Sequence, residues 1–231
     1  MCTPRIGSSS LAVLLLTLAL SVAAATVASA QAGVSSDALM KELMIQPDTA
    51  TLFWWLPVEG LEAMVRLDPN VKSADVEPLM AMCRPYTIVG FVVGELRNDL
   101  TMRWTPPDQV LAHLSAANGS GQAVKPVPQV PQDLEQILGV LKMLFRQLLG
   151  PMGENFSFAV FSDKLPDGAR LADPGRRGKF TVSLTGISGL KDASATWRLP
   201  LDLGKVKQCG KCRETVKAAW EYCPWCGAKQ D

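Results

Sequence analysis

Cys209-Gly210-Lys211-Cys212, ten intervening residues, and then Cys223-Pro224-Trp225-Cys226-Gly227 form the stretch that decides how the C-terminal part of this chain folds. Two Cys-x-x-Cys pairs at this separation supply the four thiolates that a tetrahedral S4 zinc site requires. Two residues between cysteines let one tight turn aim both sulfurs at a single ion. Gly210 and Gly227 are expected to relax the backbone where it turns around the metal. Four protein ligands would close the coordination sphere and leave no position for an activated water, so a catalytic metal is not expected here.

The run from Lys207 to Lys229 resembles the zinc ribbon family, and Cys-Pro-Trp-Cys-Gly is similar to the second knuckle of such ribbons. The resemblance covers a small fraction of the chain. It implies that Cys209, Cys212, Cys223 and Cys226 ligate one structural Zn2+, with Glu214 to Tyr222 forming the hairpin between the knuckles. Trp220, Tyr222 and Trp225 would then cover a core too small to stand without its metal. Two further readings of these cysteines stay open. Cys-Pro-Trp-Cys can act as a redox pair like that of thioredoxins, although such a pair opens a helix within a strand-helix-strand unit. Two structural disulfides would also suit an oxidising compartment.

That compartment is suggested by the other end of the chain. Met1 to Ala30 reads as a secretory signal peptide: Arg5 in a short positive region, an apolar run from Leu11 to Leu20 broken only by Thr17, and Ala28-Ser29-Ala30 before Gln31. Cleavage near Ala30/Gln31 would release a periplasmic or extracellular chain without a membrane span. The competing reading is an uncleaved anchor, since Leu11 to Ala28 approaches the length of a span. Both readings place the remainder outside the cytoplasm. Cys2 would leave with the leader.

The full chain carries 23 Lys and Arg against 22 Asp and Glu; a leader with one Arg and no acid leaves 22 against 22. No global field for nucleic acid or an anionic membrane follows. Locally, Lys205, Lys207, Lys211, Arg213, Lys217 and Lys229 outnumber Glu214, Glu221 and Asp231, and aromatics lie among them. In another compartment that mixture would suit nucleic acid, but export argues for a solvated face.

Residues 31–203 are enough for one compact domain with its own core. Ser35 or Ser36 is expected to cap a helix through Ile45, ended by Pro47. Thr51 to Leu56 is an apolar, aromatic strand, either buried or with one face offered to a partner. Val58 to Leu67 and Ala74 to Cys83 carry helical spacing, the second capped by Ser73 and kinked or shortened by Pro78. Tyr86 to Gly94 reads as a central strand, with Met102 to Trp104 returning beside it. Thr105 is expected to cap a brief helix opened by Pro106-Pro107 and ending near Leu114. Ser115 to Pro131 reads as a surface connection. Gln132 to Leu149 is the clearest amphipathic helix, with Leu134, Ile137, Leu138, Leu141, Leu144, Phe145, Leu148 and Leu149 in one stripe and Gly150-Pro151 as its stop.

Asn155 to Phe161, Lys179 to Thr185 and Ala195 to Leu199 alternate as strands, the first two joined by the long Asp163 to Gly178 loop. The expected fold class is therefore α+β: a mainly antiparallel sheet with packed helices over residues 31–203, followed by a zinc ribbon over 204–231.

Catalytic sets fail on residue supply. His113 is the only histidine, on a short helix among apolar neighbours, where a structural role is commoner than a base. Ser188-Gly189-Leu190-Lys191 matches Ser-x-x-Lys, but lies in a Gly-rich turn without the companion motifs. Asp163, Asp167 and Asp173 share a loop with Arg170, Arg176 and Arg177; calcium-loop spacing is missing, and turn-forming Asp explains such a pattern. Asn118-Gly119-Ser120 and Asn155-Phe156-Ser157 are sequons, and Cys83 is a lone thiol on an apolar helix face. The sequence thus points to an exported, non-catalytic module that binds a protein or envelope component. An envelope enzyme or thiol-redox accessory protein is the alternative.

Overall fold

The computed structural model describes residues 36–66, 73–203, 206–217 and 220–230; the expected leader lies outside them. In chain order the elements begin with α1 (Ser36–Leu43), β1 (Met44–Ile45), β2 (Leu52–Leu56), α2 (Val58–Arg66), α3 (Ser73–Cys83) and β3 (Tyr86–Val92). They continue with β4 (Gly94–Leu96), β5 (Met102–Trp104), α4 (Pro107–His113), β6 (Leu114–Ala117), β7 (Ala123–Val124) and α5 (Gln132–Leu149). The last are α6 (Pro151–Glu154), β8 (Ser157–Ser162), β9 (Gly178–Leu184), β10 (Ala193–Leu199), β11 (Val206–Gln208) and β12 (Thr215–Lys217). The described residues thus make an α+β fold of helices and antiparallel sheets. None of these helices is long and apolar enough to cross a membrane.

The first sheet has the order β1-β2-β3-β8, antiparallel throughout. Its register places Trp54, Gly90 and Phe158 in one row and Trp55, Val89 and Ala159 in the next. Successive side chains of a strand point to opposite faces, so Trp54 and Trp55 serve different layers. Trp54 meets Phe145 of α5 at a ring separation of 4.5 Å, and Phe145 meets Phe156 at 4.6 Å. Trp55 meets Phe180 of β9 at 4.8 Å and Trp197 of β10 at 5.9 Å. The sheet is consequently a middle layer, helices on one side and a second sheet on the other. That is why β2 reads as apolar at every position: all five of its residues are buried.

The second sheet runs β10-β9-β6-β7 and has only one covered face. Phe180, Val182 and Leu184 alternate with more open positions along β9, as Ala193, Ala195 and Trp197 do along β10. Trp197 also donates from Nε1 to the carbonyl of Leu43 at 3.1 Å, tying β10 to the end of α1.

Several expectations are corrected. The three strands expected between Asn155 and Leu199 do not share a sheet: β8 pairs with β3, while β9 and β10 build the second layer, so the Asp163 to Gly178 loop crosses between layers. Alternation identifies which face of a strand is buried and carries no information about its neighbour. The first helix stops at Leu43, because Met44 and Ile45 pair with Trp54 and Phe53 as an edge strand. Met102 to Trp104 pairs with Gly94 to Leu96 in a hairpin of its own rather than with β3. The supposed connection after Ser115 supplies β6 and β7, whose small Ala-rich residues give a weak strand signal. Pro106, not Thr105, caps α4, with no side-chain cap bond. Pro78 sits within α3, which runs on to Cys83. Leu148 leaves the α5 stripe and is half exposed.

The crossing loop is pinned by a charged cluster. Buried Asp163 accepts from Thr87 Oγ1 at 2.8 Å and from Arg170 Nε at 2.7 Å, while Arg170 also donates to Glu59 of α2 at 2.7 Å. Burial pulls the Arg170 pKa down, but the hydrogen bonds to Glu59 and Asp163 outweigh it and hold the guanidinium above its ordinary value.

Gly90 is the tightest backbone approach in the core. A Cβ there would stand 2.2 Å from Cζ of Phe156, whose ring lies directly over the strand. Gly90→Ala is expected to lower stability by about 1–3 kcal/mol through overpacking. Chemical denaturation should show that Gly90→Ala with Phe156→Leu loses less than the sum of the single losses, because the smaller side chain vacates the clash.

Candidate metal centre in the C-terminal hairpins

Each cysteine pair sits at the tip of its own short hairpin. β11 and β12 bracket the first pair, with Gln208 opposite Thr215, and a bridge between Tyr222 and Lys229 brackets the second. The sequence reading put a single hairpin, Glu214 to Tyr222, between the knuckles, whereas the strands flank each knuckle instead.

The two hairpins repeat one another bond for bond. Arg213 N donates to Cys209 O and Gly227 N to Cys223 O, both at 2.9 Å. Cys209 N donates to Glu214 O at 2.9 Å and Cys223 N to Ala228 O at 2.8 Å. Residues 207–216 and 221–230 are therefore two copies of one strand-knuckle-strand unit, a repeat hidden by the lack of identity outside the cysteines. The position four after the first cysteine takes a left-handed backbone in both, φ 61° at Arg213 and φ 68° at Gly227. Gly227 thus does what its type suggests. Gly210 does not, and the strained position of the first knuckle belongs to Arg213.

This arrangement brings Cys209, Cys212, Cys223 and Cys226 together, with all four Sγ atoms within 4.8 Å of one another. Two pairs cross between hairpins, Cys209 with Cys226 and Cys212 with Cys223, each at 3.6 Å. Sulfurs about 2.3 Å from a tetrahedral ion stand about 3.8 Å apart, whereas a disulfide needs about 2.05 Å. The spacing fits one central metal ion and is too wide for a sulfur–sulfur bond. Cys209 and Cys223 are buried with Val216; Cys212, Cys226 and Ala228 pack against them half-buried.

Backbone amides of Cys212 and Lys211 aimed at Cys209 pull its thiol down to about 6. For Cys212 the Glu214 amide acts in the same sense, but burial and the three neighbouring sulfurs outweigh it and push that thiol up to about 12. The two thiols of the first knuckle are thus displaced in opposite directions, and a dication among the sulfurs would favour the thiolate form of both.

The three aromatics of these hairpins do not cover this core. Trp220 and Tyr222 are exposed, and Trp225 at the second knuckle tip is 71% exposed. Lys217 lies over the Trp220 ring at 5.9 Å and pairs with Asp202 at 2.7 Å, while Glu221 faces Arg177 at 3.6 Å. Conversely, the Phe53-Trp54-Trp55 run is wholly buried and offers no face to a partner.

The other sequence candidates are dispersed. His113 holds Thr185 O through Nδ1 at 3.0 Å, a structural tie between α4 and β9. Ser188 and Lys191 belong to the β9–β10 turn, not a helix. Asp167 and Asp173 accept turn amides from Ala169 and Gly175, each at 3.0 Å, whereas Asp163 is the buried partner of Arg170. Cys83 is buried, and burial pushes its thiol up to about 11. Sequence reasoning missed Glu59, Arg213 and Gln230; only superposing the two ten-residue units would have drawn the last two out. Against protein-family models, curated proteins and solved structures, the chain gives no match.

Two outcomes follow from this geometry. Arg213→Gly removes a left-handed non-glycine residue and is expected to stabilise the metal-loaded hairpins by up to about 1 kcal/mol in thermal or denaturant unfolding. The zinc-loaded protein is expected to release its metal as pH falls, because protons and the ion compete for the same four sulfurs, and a chelator assay across pH checks this. Cys209→Ser, with one sulfur ligand fewer, is expected to release it at a higher pH than the wild type.

Proposed function

We propose that this chain is an exported, non-catalytic interaction protein of the cell envelope, whose C-terminal hairpins form a structural zinc ribbon that presents part of the binding surface. The observation that carries the reading is the division of labour within the ribbon. Its interior consists of cysteines with Val216 and Ala228, while Trp220, Tyr222 and Trp225 face water. Large aromatics surplus to a core are the residue types that anchor interfaces. Zinc is favoured over other ions because four thiolates at tetrahedral spacing suit a soft, redox-inactive dication. Four protein ligands leave that ion a structural task. The apolar leader of residues 1–30 supports export, and nucleic acid is not the expected partner.

A thiol-redox role is the second reading, favoured by the lowered Cys209 thiol. The two separate on mature protein taken from the envelope fraction without refolding. The ribbon reading expects one zinc per chain and four metal-protected thiols besides Cys83. It also expects Trp225→Ala to keep the zinc while losing crosslinks to its envelope partner. A metal-free protein with two disulfides that cycle at a thioredoxin-range potential would replace it with the redox reading.

A further inference from the structure

We infer that Gln230 is a positioning residue of the metal centre, its side-chain amide donating to the Cys209 sulfur and slowing loss of the ion. The inference rests on the reading of the four cysteines as metal ligands. Gln230 Nε2 lies 3.4 Å from Cys209 Sγ and 2.8 Å from the carbonyl of Ala228, so the two hydrogens of one amide each have an acceptor. Its backbone is fixed in turn, Gln230 N donating to Glu221 O at 2.8 Å.

The internal repeat shows that this contact is an addition to the unit. The residue seven after the first cysteine is Gln230 in the second hairpin and Val216 in the first. Val216 is buried and apolar, and by the same symmetry it occupies the position facing Cys223. The repeat therefore breaks where a side chain can reach sulfur: Cys209 receives a side-chain amide, whereas the matching position in the first hairpin is the apolar Val216.

The chemistry gives that asymmetry a purpose. Four thiolates around a dication carry two excess negative charges, and N–H donors aimed at sulfur spread that charge in a half-buried site where water is scarce. The Cys212 and Lys211 amides already serve Cys209. Gln230 adds the side-chain donor, making Cys209 the ligand held longest.

The test uses the full chain loaded separately with Zn2+ and Co2+, comparing wild type with Gln230→Leu, which keeps bulk without a donor, and Gln230→Glu, which puts a carboxylate beside the thiolates. Zinc transfer to a chromogenic chelator is expected to be about tenfold faster for Gln230→Leu and faster still for Gln230→Glu. The thiolate-to-cobalt charge-transfer band is expected to move to longer wavelength in both, because a sulfur without its donor is easier to oxidise. Stoichiometric loading with unchanged release overturns the inference, as does faster release with an unmoved band, which would reduce Gln230 to a packing role. A wild-type chain that takes up no metal overturns the ribbon reading beneath it as well.

Discussion

The body of this protein depends on two consecutive tryptophans facing opposite ways. Trp54 packs against Phe145 and Trp55 against Phe180, so one strand fastens a helical layer and a second sheet to the same backbone. Burying aromatic side chains on both faces removes a large apolar area from water, and the rings add edge-on and stacked contacts to it. The requirement propagates outward. Gly90 must lack a side chain because Phe156 lies over it, and α5 must present Phe145 to the row that holds Trp54. The crossing loop needs the Arg170 cluster because it links two layers instead of two neighbouring strands.

The C-terminal hairpins obey a different constraint. Their apolar interior is a few side chains, far below what orders a chain of that length, so four sulfurs must contribute the cohesion. Backbone amides lower the Cys209 thiol, while burial and the neighbouring sulfurs outweigh the Glu214 amide and raise that of Cys212. With a metal among those sulfurs, affinity and folding would be one free energy. Freed from covering a core, the aromatics of these hairpins are left at the surface.

Legibility in the sequence followed the strength of local periodicity. Gln132 to Leu149 was legible to its last residue because eighteen positions of helical spacing end at a glycine with φ 55°. The convergence of the four cysteines was legible because two Cys-x-x-Cys turns of that spacing can aim four sulfurs at one point. The assignment of β8 to one sheet and β9 to another was not, since strand pairing is settled by ring contacts far apart in sequence, such as Trp55 with Phe180. The fate of Trp220, Tyr222 and Trp225 was misread for a related reason: an aromatic residue near a small core signals burial only when nothing else fills that core, and here cysteines and Val216 do. Arg213 in a left-handed turn and Gln230 beside a sulfur carry no composition signal at all.

The central claim is that the two hairpins fold around a single metal held by four sulfurs. X-ray absorption at the metal edge of natively purified protein tests it most directly. The account predicts zinc with four sulfur scatterers at about 2.3 Å and no nitrogen or oxygen in the first shell. A shell containing light-atom ligands, or a protein whose sulfurs are paired at bonding distance around no metal, would contradict it.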